Sequence, residues 1–288
     1  MLQVARLAPN LLREATERVD DFLRNQINPD GGFRDRAGRS DLYYTVFGLE
    51  GLIALRQQPP YSRIRPFLEG FGDGEGLDLV HLACLARCWA ALPSGSLPSQ
   101  NGRRLAERLE AFRTRDGGYA PTSGSPSGTV YHGFLVLGAH QDLGVPLPDP
   151  TGLGRSVQSL QLDSGGFAGR PGLSAPSTPN TAAALTLLRQ LGTPALPGGS
   201  DWLLGQACPD GGFRAGEGTP VPDLLSTATA LHALAGMQVS FEHLKEPTLD
   251  FLDTLWTSRG AFYGNWTDDV ADCEYTWYAL LALGHLSL

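Results

Sequence analysis

Five residues, Asp268-Asp269-Val270-Ala271-Asp272, place three carboxylates at D-D-x-x-D spacing, and Glu274 follows two positions later. Oxygen ligands of this kind suit Mg²⁺ and, through it, a diphosphate. An acidic loop running into a helix cap explains the same letters. Arg36 and Arg39 follow one glycine pair, and Arg170 holds the same place after another. The forked guanidinium donors match phosphate oxygens, though solvated loop arginines read alike. His81, Cys84 and Cys88 recur at i, i+3 and i+7 on one helical face, as a metal set or as a buried small-residue stripe. Tyr43, Tyr44, Phe47, Trp89, Tyr131, Phe134, Tyr275, Trp277 and Tyr278 can line an apolar funnel whose π faces would hold a prenyl chain or a carbocation. Ordinary helix packing uses the same residues.

The elements that must position these side chains come from a repeat. Asp30-Gly31-Gly32-Phe33 returns as Asp116-Gly117-Gly118-Tyr119, Gly165-Gly166-Phe167, Asp210-Gly211-Gly212-Phe213 and, degenerate, Gly260-Ala261-Phe262. A unit recurring every few tens of residues decides the architecture. Each copy follows an amphipathic run with one apolar stripe: Ala15–Gln26, Arg103–Phe112, Gly154–Leu162, Asp201–Ala207 and Glu246–Trp256. Tyr61–Phe71 is a degenerate copy without the glycine pair. A polar loop then leads into a second run, apolar all round and rich in Ala and Leu, as a helix buried on both sides would be. The entries to these runs fall at Asp41, Asp78, Thr129, Ser177, Asp223 and Asp272, at steps of 37, 51, 48, 46 and 49 residues. Asp, Ser and Thr are good helix N-caps. Gly144, Gly192 and Gly236 stand where C-terminal glycines belong.

Six surface helices alternating with six buried ones predict an all-α, (α/α)6 toroid of helical hairpins spanning 1–288 as one domain. An open solenoid would cap its terminal repeat with polar sequence. The last run is as apolar as the rest, which favours closure of the sixth unit onto the first. One register position then forms a collar around the ring: Tyr44, His81, His132, Asn180, Ser226 and Tyr275. It would either hydrogen-bond a substrate or satisfy water.

Composition narrows the function. A formal net charge of −8 argues against wholesale nucleic-acid binding. No apolar run reaches the roughly 18 residues of a membrane span. Cys84, Cys88, Cys208 and Cys273 form no disulfide framework, in keeping with a reducing cytoplasm. No nucleophile elbow, Walker loop, dinucleotide fingerprint or H-E-x-x-H is present.

The Gln-to-aromatic spacing, Gln26…Phe33, Gln161…Phe167 and Gln206…Phe213, resembles the repeat of protein prenyltransferase β subunits and squalene/terpene cyclases. The local match is nearest to the Rab-type geranylgeranyltransferase β subunit. Gly31 to Gly38 and Asp41 to Gly48 resemble its zinc-histidine repeat, with Tyr44 at the histidine position. Asp272-Cys273-Glu274-Tyr275 resembles its D-x-C-Y repeat, with Glu274 at the cysteine position. The two repeats become neighbours only if the ring closes.

The resemblance implies a catalytic rim of Asp272, Glu274 and Tyr44, and a Zn²⁺ or Mg²⁺ on Asp272 and Glu274. Cys273 is a third candidate ligand, one residue off register and about 100° round a helix. It implies diphosphate binding by Arg36, Arg39 and Arg170, a reacting end lined by Tyr44, Tyr275 and Trp277, and further contacts from Tyr43, Asp41, His81 and His132. It also implies a helical α-subunit-like partner. The cyclases that share the repeat protonate an alkene with D-x-D-D, which is missing here. The expected function is to bind a prenyl diphosphate or other isoprenoid, with or without transfer to an acceptor. The alternative is a non-catalytic toroid, shorn of its zinc site, that holds an isoprenoid or a peptide.

Overall fold

Side chains that stand in for missing helix acceptors start five of the six apolar runs. Asp41 accepts N–H bonds from Tyr43 and Tyr44, Asp78 from His81, Thr129 from His132, Asp223 from Ser226 and Asp272 from Tyr275. Ser177 differs: its hydroxyl caps no N–H and accepts from the Asn180 amide at 2.7 Å instead. The computed structural model describes residues 1–288, the side chain of residue 99 excepted.

Two short N-terminal helices, α1 (Leu2–Ala5) and α2 (Pro9–Leu12), precede the repeats. The outer helices are α3 (Ala15–Asn25), α5 (Tyr61–Glu69), α7 (Ser99–Glu110), α9 (Pro150–Gln158), α11 (Gly199–Leu204) and α13 (Lys245–Leu255). The inner helices are α4 (Leu42–Ala54), α6 (Leu79–Ala91), α8 (Val130–Leu143), α10 (Thr178–Gln190), α12 (Leu224–Gly236) and α14 (Cys273–Leu286). Each inner helix packs on the next, and α14 packs back on α4, so the ring is closed. Helix α1 lies against α14 and α4 at the end opposite the glycine loops. There Gly284 comes so near that a Cβ would stand 2.2 Å from the Val4 carbonyl oxygen.

The glycine pair does more than reverse the chain. Gly31 has φ +97°, and a Cβ on it would meet the Arg63 carbonyl of the next outer helix at 1.9 Å. Only glycine accepts both the dihedral and the approach. Gly117, Gly165 and Gly211 make the same joint with Gly152, Gly198 and Pro247, and Gly260 makes it with Arg18 of α3, across the seam between the last unit and the first. The degenerate second unit replaces this joint with charge: Asp73 pairs with Arg108 of α7 at 2.9 Å and with Arg104 at 3.8 Å.

The aromatic after each glycine pair is buried between units: Phe33, Tyr119, Phe167, Phe213 and Phe262. In four of the five copies its backbone N–H donates to a buried threonine near the start of the inner helix. The pairs are Phe33 with Thr45, Phe167 with Thr181, Phe213 with Thr227 and Phe262 with Thr276. One β-bridge closes each glycine turn, and the two-residue strands β1 (Phe213–Arg214) and β2 (Pro222–Asp223) pair antiparallel in the fifth unit. Gly144 and Gly192 end their helices at φ 64° and 65°. Gly236 does not, because α12 passes through it and is capped by Met237.

Candidate functional site

At the glycine-loop end the closed seam brings Arg36, Asp268 and Asp272 together. The Arg36 Nε donates to Asp272 Oδ2 at 2.7 Å, and its terminal nitrogens donate to both Asp268 oxygens at 3.1 and 2.8 Å. Its guanidinium lies 5.5 Å from the centre of the Tyr275 ring. Asp272 is 6% exposed and caps α14. Burial raises its carboxyl above the usual range, against the pull of the Tyr275 N–H and Arg36. Burial acts on Asp268 too, but the Arg36 hydrogen bonds and charge together with the Val270 and Gly264 N–H groups outweigh it and hold that carboxyl low. The D-D-x-x-D letters therefore form a helix cap and an arginine clamp.

Tyr44 joins this group. Burial, then the charges of Asp272 and Glu274, push its phenol up to about 12. Glu274 accepts a 2.5 Å hydrogen bond from the Tyr43 hydroxyl. Burial lifts its carboxyl to about 7, and the Tyr43 bond restrains the rise. Burial and the neighbouring Tyr278 and Glu274 hold the Tyr43 phenol protonated. Burial, with smaller contributions from Cys84 and Glu274, raises the phenol of Tyr131 on α8 as well.

The remaining sequence candidates divide. Asp41 caps α4 and reaches His81 Nε2 at 3.4 Å, while His81 Nδ1 sits 2.9 Å from Asp78. His132 bonds the Thr129 hydroxyl at 2.7 Å, and burial lowers its pKa, leaving it neutral. Asn180 and Ser226 likewise bond their own cap residues. Four members of the collar are therefore satisfied within their helices, and Tyr44 and Tyr275 alone face the Arg36 cluster. Trp277 is displaced from the expected reacting end. It is 1% exposed and packs against Phe47 and Tyr278.

Arg39 is 82% exposed and pairs with Asp35 in its own loop. Arg170 is exposed in the fourth unit, three hairpins round the ring from Arg36. The three arginines do not converge on one diphosphate. His81, Cys84 and Cys88 diverge as well: His81 goes to the rim, Cys84 borders the central cavity and Cys88 is core.

A zinc or magnesium ion on Asp272, Glu274 and Cys273 does not fit this arrangement. Asp272 is committed to Arg36 and to its cap, Glu274 is bound to Tyr43, and Cys273 is buried with its thiol raised well above normal by desolvation. Among the described residues no group of three or more His, Cys, Asp or Glu side chains is arranged to hold a metal.

Below Tyr43 the ring encloses a cavity of about 350 Å³, at the small end for organic ligands. Its layers follow the helix register. Two residues after the caps stands Tyr43. Five and six residues after them come Val46, Phe47, Ala83, Cys84, Phe134 and Leu135. Nine residues after them come Glu50, Arg87, Gly138, Thr186 and His232. An apolar belt is thus bounded by polar groups at both ends. Seven residues of helix separate the two polar layers, about 10 Å at 1.5 Å per residue.

The far layer escaped the sequence reading. Arg87 grips Glu50 in two bonds of 2.5 and 2.9 Å and lies 5.8 Å from the Trp277 ring centre. The signal was present: opposite charges at the same register, nine after the cap, in two adjacent apolar runs.

A protein-family model, the prenyltransferase alpha-alpha toroid domain, matches residues 14–83, 129–198 and 197–287. No match is found among curated protein sequences. The fold is similar to type II terpene cyclase MstE from Scytonema, with a TM-score of 0.69, 15% identity, and 96% of this chain and 97% of that one covered. It is also similar to Candida albicans protein geranylgeranyltransferase-I complexed with GGPP, with a TM-score of 0.66, 17% identity and 82% of each chain covered. The α-1,6-mannanase GH76A of Salegentibacter sp. shares the fold at a TM-score of 0.64 and 14% identity, over 95% of this chain and 98% of that one. At these identities the likeness is one of fold, and that fold serves unrelated chemistries. With its repeats, its closed ring of inner helices and the matched domain model in agreement, the chain belongs to the prenyltransferase alpha-alpha toroid family.

Proposed function

We propose that the protein binds a compact, uncharged isoprenoid in the belt below Tyr43 and that Glu274 exchanges a proton with it. One observation carries the reading. The Tyr43 ring lines the cavity while its hydroxyl is bonded to a carboxyl lifted to about 7, the range in which a group both gives and takes protons at neutral pH. When Glu274 holds the proton, it donates to the Tyr43 oxygen and frees the Tyr43 O–H to turn toward the cavity. That O–H bond breaks as a new bond forms to a double-bond carbon or an epoxide oxygen. The Glu274 proton moves to Tyr43, and a carbocation develops against Phe47 and Phe134. The carboxylate then recovers a proton, through Tyr43, from a carbon beside the cation. The net change is isomerisation or cyclisation, and no co-reactant is consumed.

The solved relatives support the ligand class: MstE variants are complexed with geranylgeranyl dihydroxybenzoate, and geranylgeranyltransferase-I with GGPP. Prenyl transfer to an acceptor, with a diphosphate leaving group and a helical α-subunit-like partner, would require Arg36 to leave both aspartates. Non-catalytic binding is the second reading, favoured by the same neutralised mouth.

Incubation with neutral isoprenoids in D₂O, followed by mass spectrometry, tests the proposal. Deuterium enters the recovered isoprenoid with the native protein and not with Glu274→Gln. Tight binding without exchange supports the non-catalytic reading. Consumption of a prenyl diphosphate with undiminished activity in Glu274→Gln overturns the proton-transfer assignment.

A further inference from the structure

The cavity has a second end, and its chemistry differs from that of the glycine-loop rim. Gln3, Gln141, Asp142 and Gln190 line the cavity and are exposed to solvent, all at or beyond the C-terminal turns of the inner helices or on the adjoining α1. The cavity therefore opens to water there, on the face away from the glycine loops. The Gln141 amide donates to Gln190 at 3.1 Å on one side of the opening. Glu50 and Arg87 form the buried wall on the other side, their charges cancelling within the bidentate pair.

Asp142 stands beside this pair and feels both charges, yet among the described residues no group donates to its carboxyl. Arg87 spends Nε and one terminal nitrogen on Glu50, which leaves its other terminal nitrogen without a protein acceptor. An unused acceptor and an unused donor thus flank one opening. A diphosphate would face Glu50 and Asp142, and an ammonium would face Arg87. A hydroxyl meets both needs, since it donates to Asp142 and accepts from Arg87.

We propose that the cavity takes an isoprenoid alcohol through this opening, with its hydroxyl held by Asp142 and Arg87 and its hydrocarbon body laid along the belt toward Tyr43. The assignment rests on the isoprenoid reading above and adds to it the polarity of the ligand and the direction of its entry. The belt of about 10 Å between polar layers suits a short isoprenoid rather than a twenty-carbon chain.

Calorimetric titration of matched ligands tests this: a ten-carbon isoprenoid alcohol, the hydrocarbon of the same skeleton and the corresponding diphosphate, each against native protein, Asp142→Leu and Arg36→Ala. The alcohol binds native protein at least tenfold tighter than the hydrocarbon. Asp142→Leu erases that preference and keeps hydrocarbon binding, a result that also shows the variant is folded. Equal affinity for alcohol and hydrocarbon overturns the hydroxyl assignment and leaves the isoprenoid reading standing. A diphosphate that binds tightest, and loses affinity in Arg36→Ala, places the head group at the opposite rim and overturns the assignment. Failure of all three ligands to bind removes both readings.

Discussion

Asp272 and Glu274 are two residues apart, yet one carboxylate is clamped by an arginine and the other is held by a phenol. The second arrangement makes a prediction about pH. The Glu274 carboxyl is raised from 4.5 to about 7 on folding, so between those values the folded state binds the proton more tightly than the unfolded chain. Its contribution to stability is complete below the unfolded value and is lost as pH rises through the folded one. At 1.36 kcal/mol per pKa unit it amounts to at most about 3 kcal/mol. Glu274→Gln should flatten the fall in melting temperature between pH 5 and 7, measured by calorimetry across that range. Tyr43→Phe removes both the relay and the bond that restrains Glu274. Turnover should drop by about a hundredfold, and the alkaline limb of the pH–rate profile should move upward. A residue that merely packs would leave that limb in place. Asp272 was legible in the sequence because capping is local chemistry. Its tie to Arg36 and the Tyr43–Glu274 bond were not, since each joins residues more than two hundred positions apart. Cys273 illustrates what helical geometry alone provides: one residue off register, it points into the core.

The helices were legible from their periodicity and caps, and all six inner helices begin next to the residues that mark them. What holds one hairpin to the next was less so. The glycine pairs read as turns, whereas their tighter constraint is a carbonyl from the following outer helix pressed against the first glycine. The threonines lie unmarked within the apolar runs. Each takes the backbone N–H of a buried aromatic, and two of them also pass their own hydroxyl proton to the helix, Thr45 to the Asp41 carbonyl and Thr227 to the Asp223 carbonyl. Thr227→Val keeps the shape and orphans the Phe213 N–H, which should cost about 1–3 kcal/mol. Chemical denaturation should show a lower midpoint with an unchanged slope, because the surface exposed on unfolding is the same. The second unit, with neither glycine pair nor threonine, shows that a joint can be made by Asp73 and two arginines instead.

Across the whole molecule, the seam between the sixth and first units determines whether there is a site at all, because Arg36 belongs to one and Asp268, Asp272 and Glu274 to the other. Arg36→Ala leaves the buried Asp272 without its cation, at a cost of about 2 kcal/mol once the part-exposed arginine is discounted. It should lower the melting temperature more as pH rises and Asp272 ionises, and added salt should not restore it. Closure was inferable from the apolar last run. The cavity's layered polarity was legible only in part: Glu50 and Arg87 share a register in two adjacent runs, but the full layering depends on equal register among five helices at once.

The seam has a further consequence. Gly260 meets Arg18 by the same joint that Gly31 makes with Arg63, and the Ser287 hydroxyl donates to the Leu7 carbonyl at 3.2 Å, so the chain's two extremities lie side by side. To the fold, the sixth-to-first junction is one joint among equals. A circularly permuted protein, with those extremities linked by a short glycine-rich tether and new ones cut in the exposed Pro93–Gly95 connection, should therefore assemble the same barrel. It should melt within a few degrees of the parent and keep its ligand selectivity.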